Sequence, residues 1–362
     1  MPIRVAAPNA FGSNCRPGVP ASLHYTEDVP GSDHNPHHRR LYLPLISANG
    51  SNRHMTDTHV AHSVGCAQTT RPAGRRPDWL KVKARLGPNY VDLKGIMRGL
   101  DLHTVCEEAG CPNIYECWED REATFLILGD RCTRRCGFCD VMTAKPFPVD
   151  EREPARIAEA VRRMGLRYVV LTGVARDDLA DGGARIWAAC IRAIREEIPG
   201  CKVEVLPADF KGGEEDIATV IEAEPDVFAH NLETVRRLHP RIRPAFGYER
   251  SLDVLRIAKR IRPSQITKSN LILGMGERPE EVGDAMRDIR ETGCDLMTVG
   301  QYLQPSTYHL PVDRWVTPDE FGEHARFGME ELGFAHVESG PLVRSSYHAG
   351  RQLSRAAAAL TA

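Results

Sequence analysis

The chain has 362 residues, of which 42% are hydrophobic and 27% charged, with a formal net charge of −2. That length accommodates one large α/β domain or two ordinary ones. The near-neutral balance carries no general signal for nucleic acid or a membrane surface, and no run of eighteen apolar residues is present to span a bilayer.

Residues 1–75 are rich in Pro, Gly, Ser, Asn, Thr and His and lack helical or strand periodicity. They bury too little apolar surface to offset the entropy of ordering and read as a disordered extension. The opening MPIRVAAPNAFGSNCRPG has no continuous apolar core of the kind a secretory signal needs. His34, His37 and His38 fall here, but no fixed ligand geometry accompanies them, and a solvated tail is the plainer reading.

The folded part begins near residue 76, where Trp79 and Leu80 can anchor on a core while Lys81, Lys83 and Arg85 stay solvated. Val91, Leu93, Ile96, Met97 and Leu100 form a helix-like face leading into a segment, 76–122, that carries the first cysteines. From residue 123 strand and helix patterns alternate. Strands are expected at 123–129, 167–173, 202–209, 226–231, 266–274 and 295–303, with apolar helical faces between them. Six parallel βα units imply a partial (β/α)6 TIM-type barrel over 123–335, preceded by the N-terminal extension and followed by a C-terminal closing segment, 336–362. A doubly wound sheet is the alternative topology. In a barrel the functional groups sit at the C-terminal strand ends, here Thr172-Gly173, Asp209, His230-Asn231, Gly274 and Gly300-Gln301.

Six of the eleven cysteines fall between Cys106 and Cys139 in an otherwise cysteine-poor chain. Clustering at ligand spacing favours metal binding in a reducing, cytoplasmic compartment over disulfides. Cys132, Cys136 and Cys139 read C-x3-C-x2-C on a loop just after the first barrel strand. Three thiolates this close can hold three corners of a 4Fe-4S cluster and leave one iron open. Structural zinc wants four closed ligands, and no fourth lies nearby downstream. Cys106, Cys111 and Cys117 form a second triplet, C-x4-C-x5-C, again without a nearby fourth. Cys190, Cys201 and Cys294 lie in regular elements and read as core thiols, and Cys15 and Cys66 as tail residues.

The second triplet, with the aromatic Phe138 just before its last cysteine, resembles the signature of the radical S-adenosylmethionine superfamily. That resemblance implies S-adenosylmethionine bound at the open iron and cleaved to a 5′-deoxyadenosyl radical; Thr172 and Asn231, at strand ends, are the expected contacts to it. The first triplet, CTRRCGFCDV, RDDLADGGA (176–184), GQYLQPS (300–306), HLPV (309–312), VTPDEF (316–321) and RSSY (344–347) together closely resemble the lipoyl synthase family over roughly residues 76–352. Met55 opens a more family-like stretch within the tail and stands as an alternative start.

The family resemblance implies an auxiliary 4Fe-4S cluster held by Cys106, Cys111, Cys117 and one serine of RSSY. That serine is Ser346 by position in the motif, with Ser345 the fallback and Arg344 a candidate to hold or release it. A hard alkoxide is a weak partner for a soft cluster, which suits a cluster that is consumed. The implied reaction inserts sulfur at carbons six and eight of an octanoyl group amide-linked to a lysine of a lipoyl carrier domain. The implied partners are octanoylated acyltransferase components of 2-oxo acid dehydrogenases and the glycine cleavage H protein, an electron donor such as ferredoxin or flavodoxin, and a cluster-repair carrier protein. Gly173, Asn270 and Trp315 depart from the usual family spelling, in positions that bear on the substrate pocket. Another radical sulfur-inserting enzyme, such as a biotin synthase or methylthiotransferase, and a non-catalytic iron–sulfur carrier are the rival readings.

Overall fold

The computed structural model describes residues 74–360 except 83 and 85. The readings of the earlier tail, including His34, His37, His38, Met55, Cys15 and Cys66, and those of Lys83 and Arg85 lie outside the described residues. No helix among the described residues is long and apolar enough to cross a membrane.

Among the described residues ten strands run in chain order as β1 (His103–Thr104), β2 (Thr124–Ile127), β3 (Arg131–Cys132), β4 (Met142–Thr143), β5 (Tyr168–Gly173), β6 (Lys202–Leu206), β7 (Val227–Ala229), β8 (Ile266–Leu273), β9 (Leu296–Gln301) and β10 (His336–Gly340). Eight of them form one sheet in the order β1-β2-β5-β6-β7-β8-β9-β10. All pairings are parallel except β1 with β2. All six expected barrel strands are present in the expected order, and β10 adds a seventh parallel strand beyond residue 335. HVESG alternates apolar and polar groups weakly, with only Val337 fully packed, which hides a strand from periodicity.

The helices are α1 (Pro88–Gly99), α2 (Val105–Glu108), α3 (Ile114–Glu119), α4 (Glu153–Met164), α5 (Ala184–Glu197), α6 (Glu214–Glu222), α7 (His239–Ile242), α8 (Tyr248–Ile261), α9 (Pro279–Glu291), α10 (Pro318–Arg326) and α11 (Ala349–Leu360). On α1 the buried face is Tyr90, Leu93 and Met97, whereas Val91, expected on it, is 62% exposed. Spacings of three and four select one helical stripe, and position 91 falls off it. Leu80 is fully buried, but Trp79 stays 44% exposed and anchors less than expected.

Alternate strand residues face opposite ways. Val169, Leu171, Val203, Val205 and Phe228 pack with Ile157, Val161, Ile186 and Ile191 of the covering helices in one core. The alternating positions on the other face mix polar groups, Tyr168, Thr172 and Glu204 among them, with the apolar Val170 and Val227. Lys268 Nζ of β8 reaches Glu204 Oε1 of β6 at 2.9 Å across β7, so the sheet curls around this face as a partial barrel. Cys190, Cys201 and Cys294 are buried core thiols, as expected.

The C-terminal segment closes the curl. Ala356 of α11 is buried with Val227 and Leu296, and Leu353 packs beside it. Before α11, residues 341–347 cross the end of β9. A Cβ at Gly300 would stand 2.0 Å from the Val343 carbonyl oxygen, so only glycine lets this strap seat. Gly300→Ala is therefore expected to lower the unfolding midpoint by overpacking of about 1–3 kcal/mol. It should also speed amide exchange at Val343, whose N–H donates to the Gly340 carbonyl. Unchanged protection at that amide would refute the close-approach account.

Candidate metal centres

The loop after β2 carries the Cys132 triplet and is fixed at its variable positions. Arg134 is buried and donates from Nε and Nη2 to the Asp177 carboxylate at 2.8 and 2.7 Å, and from Nη1 to Asp209 Oδ1 at 2.6 Å. Thr133 Oγ1 donates to Asp177 Oδ2 at 2.8 Å, and Arg250 Nε to Asp209 Oδ2 at 2.6 Å. The side-chain hydrogen bonds from Arg134 hold the Asp177 carboxyl down at about 2. Charge-assisted forks of this kind are short and directional, and they bolt the loop to the rims of β5 and β6.

Its far end is tied to the segment after β9. The Gly137 N–H donates to the Ile242 carbonyl at 2.8 Å, and the Leu310 N–H to the Gly137 carbonyl at 3.2 Å. His309 Nε2 lies 3.0 Å from the Cys139 carbonyl oxygen while its Nδ1 meets Ser306 Oγ at 2.8 Å. The HLPV and GQYLQPS motifs thus brace the cysteine loop.

The three sulfurs of this loop lie near one another. Cys132 Sγ accepts from the Arg134 and Ala175 N–H groups at 3.4 and 3.3 Å. Burial raises Cys136, with the neighbouring Arg243 guanidinium opposing it, and burial pushes Cys139 up to about 12, with the Cys136 and Cys132 sulfurs adding to the rise. Arg243 also donates to the Asn231 carbonyl at 2.6 Å.

The Cys106 triplet comes together on short helices. Cys106 lies in α2, Cys117 in α3 and Cys111 in the turn between them. The three line one recess with Asn113, Tyr168, Arg344, Ser346, Tyr347 and Gly350. Burial pushes Cys106 up to about 12 and also raises Cys111 and Cys117, and each thiol faces others of the set. Ser346 is on this recess although it stands far along the chain, and Ser345 is not among the lining residues. Asn113 Nδ2 donates to the Leu342 carbonyl at 2.6 Å and so ties the first cysteine segment to the strap.

Arg344 is half-buried and forms no ion pair among the described residues. Its Nη1 donates to the Gln301 and Val343 carbonyls at 3.0 and 2.9 Å, and its guanidinium stands beside Cys111.

Both groups suit a polynuclear cluster. Buried thiols resist ionisation until a cation replaces the lost hydration, and thiolate sulfur is the usual ligand of iron–sulfur clusters, as it also is of zinc. One zinc ion would need its ligands within about 2.0–2.3 Å of a single point, and no three Cys, His, Asp or Glu among the described residues are grouped to hold a single ion.

The expected cofactor contacts fare differently. Phe138 packs into the core with Leu310 and Tyr302. Thr172 Oγ1 makes a long 3.5 Å bond to the Leu206 carbonyl. Asn231 Nδ2 donates to Glu233 Oε1 at 2.9 Å, while its buried Oδ1 has no hydrogen-bond partner. Asn270, one of the departures, donates to Glu233 Oε2 at 2.7 Å and accepts from Thr298 Oγ1 at 2.8 Å. Gly173 is pinned by Trp187, whose ring would lie 2.6 Å from an added Cβ, and Trp315 Nε1 donates to the Gly74 carbonyl at 2.9 Å. Sequence reading missed Arg134, Arg243 and Glu233. Arg134 alone carried a local signal, its place between the cysteines of CTRRC, which it shares with Arg135.

Residues 126–289 match the radical SAM superfamily, and residues 46–111 match the N-terminal domain of lipoyl synthase of that family. A lipoyl synthase of Nocardia farcinica is 59% identical over 292 residues, 81% of this chain and 82% of the relative. One from Rubrobacter xylanophilus is 58% identical over 277 residues, 76% and 86% of the two chains, and one from Mycobacterium avium is 58% identical over 288 residues, 80% and 93%. At that identity over more than three quarters of each chain, the chain belongs to the lipoyl synthase family of radical S-adenosylmethionine enzymes.

Proposed function

We propose that the two cysteine groups hold two 4Fe-4S clusters with separate tasks in the family's reaction, insertion of sulfur at carbons six and eight of a protein-bound octanoyl-lysine. Superfamily membership brings S-adenosylmethionine and one such cluster; the second is our assignment. The observation that carries it is the meeting of Ser346 with Cys106, Cys111 and Cys117 on one recess. Cys132, Cys136 and Cys139 would hold a cluster that supplies the electron for reductive cleavage of S-adenosylmethionine to methionine and the deoxyadenosyl radical, and Cys106, Cys111, Cys117 and Ser346 would hold one that supplies sulfide.

The chain's own residues position and shield these groups. Arg134 and His309 hold the radical-site loop rigid at both ends, which a reactive radical requires for aim. Arg243, beside Cys136, offsets thiolate charge. Phe138 fixes the loop from behind, and the free Oδ1 of Asn231 and the hydroxyl of Thr172 offer contacts for S-adenosylmethionine. Ser346 supplies the hard, easily surrendered corner, and Arg344 anchors its strap beside Cys111.

The carrier is a lipoyl domain bearing octanoyl-lysine, from the acyltransferase components of 2-oxo acid dehydrogenases or the glycine cleavage H protein. Electrons come from a ferredoxin or flavodoxin, and a cluster-repair carrier restores the spent cluster. The setting is the cytoplasm, with neither nucleic acid nor membrane as a partner. Segments 76–122 and 336–362 serve the second cluster, and 123–335 the radical chemistry.

Anaerobic reconstitution is expected to load about eight irons per chain, and reaction with an octanoyl-lysine peptide to release deoxyadenosine and a lipoylated product. Deoxyadenosine without thiolation would point to another radical sulfur-inserting enzyme. Cys106→Ala should keep deoxyadenosine formation and lose lipoylation; lipoylation at the wild-type level would sink the donor assignment. Arg134→Ala leaves Asp209, fully buried, with Arg250 as its remaining cation, and frees the Asp177 carboxylate of its fork. It should destabilise the fold by about 1.5–3 kcal/mol in denaturant titration and reduce iron at the radical site, whereas full iron and unchanged stability would count against the clamp.

A further inference from the structure

The polar face of the barrel holds a buried ion pair that neither cluster site uses. Lys268 and Glu204 are each 1% exposed. Lys268 Nζ stands 2.9 Å from Glu204 Oε1, and the Tyr168 hydroxyl donates to Glu204 Oε2 at 2.6 Å. A buried pair loses more hydration than its attraction returns unless further hydrogen bonds occupy the free lone pairs. The Tyr168 hydroxyl fills that role here and is held in one place by it.

The other side of Tyr168 faces the Cys106 recess. Its ring lies so close to Gly350 that an added Cβ there would stand 3.2 Å from Tyr168 Cγ and 3.3 Å from its Cβ. Gly350 is in the first turn of α11, four residues after Ser346, and both residues line the recess with the three cysteines. On its other flank the start of α11 is held by His348, whose Nδ1 meets Glu122 Oε2 at 2.9 Å, and by Gln352 Nε2, which donates to the Tyr347 carbonyl at 2.6 Å. These bonds tether the strap to the cysteine segment or to itself. From the barrel, Arg344 and Val343 hold the strap on β9, and the Tyr168 ring, beside Thr124 and Val170 on the recess, packs against the first turn of α11 itself.

We infer that Tyr168, locked by Glu204 and Lys268, is a positioning residue for the auxiliary site: it sets where α11 begins and so where Ser346 stands against Cys106, Cys111 and Cys117. The inference rests on the reading that this recess holds the second cluster. It gives a function to a buried Lys–Glu pair that would otherwise be a poor stabiliser next to an apolar replacement.

The test uses the full-length, anaerobically reconstituted enzyme and compares wild type, Tyr168→Phe, the double variant Glu204→Leu/Lys268→Met, and Cys106→Ala. Tyr168→Phe keeps the ring and removes the lock. The double variant removes the charges together and spares the protein an unpaired one. Both are expected to lower lipoylated product per deoxyadenosine by about tenfold, the order set by losing one hydrogen bond to a charged group. Both should also alter the Mössbauer signature of the serine-ligated iron, with deoxyadenosine formed without peptide unchanged. A merely structural role would lower deoxyadenosine and product together and would overturn the inference, as would a wild-type ratio and signature in both variants. If Cys106→Ala binds as much iron as wild type, the second-cluster reading falls and takes the inference with it. If Cys106→Ala loses that iron and the Tyr168 variants are silent, the inference falls alone.

Discussion

The strap before α11 can reach the cysteines because Gly300 offers no side chain to the Val343 carbonyl at the end of β9. That close approach fixes the path of residues 341–347. Once Val343 is seated, Arg344 turns onto the Gln301 carbonyl, Leu342 accepts from Asn113 of the first cysteine segment, and Ser346 arrives on the recess. The two ends of the described chain are thus joined across the seam of an open sheet.

Around that seam the molecule divides its labour by face. The outward strand residues are aliphatic and pack on helices, which holds the curl. The inward face carries two polar sets, Asn231, Glu233, Asn270 and Thr298 in one and Tyr168, Glu204 and Lys268 in another, beside the apolar Val227 and Leu296 that seat α11. Buried polar groups of this kind make a single arrangement strongly preferred when every member is satisfied. A radical reaction needs such rigidity, because aim and exclusion of water are the protein's main contributions to it.

The cysteines add a different dependence. Burial raises the thiols of Cys106, Cys111, Cys117, Cys136 and Cys139, so the protein alone favours their neutral form. A cationic cluster reverses that preference, and its binding is linked to proton release and to the order of the surrounding loops. The radical-site loop is braced independently by Arg134, Asp177 and Asp209. The Cys106 recess depends on elements from three distant parts of the chain.

Much of this was written in the linear order of residues. Cysteine spacing marked both triplets, period-two and period-3.6 patterns marked the six barrel strands and the helices between them, and the motifs RSSY and HLPV flagged segments that the fold brings to the cysteine loops. What lay beyond sequence was partnership at a distance. Nothing near Arg134 names Asp177 and Asp209, and nothing near Tyr168 names Glu204, Lys268 or Gly350, because side chains on neighbouring strands meet through sheet register and curl. The strand β10 escaped because its inward residues are polar, and Val91 was misplaced because only packing decides which stripe of a helix is buried. The sequence by itself determined which chemistry the chain can carry, since thiol type and spacing are local. Only the tertiary structure decided that Ser346 shares a recess with Cys106, Cys111 and Cys117, since that depends on a backbone contact at Gly300 that no local pattern encodes.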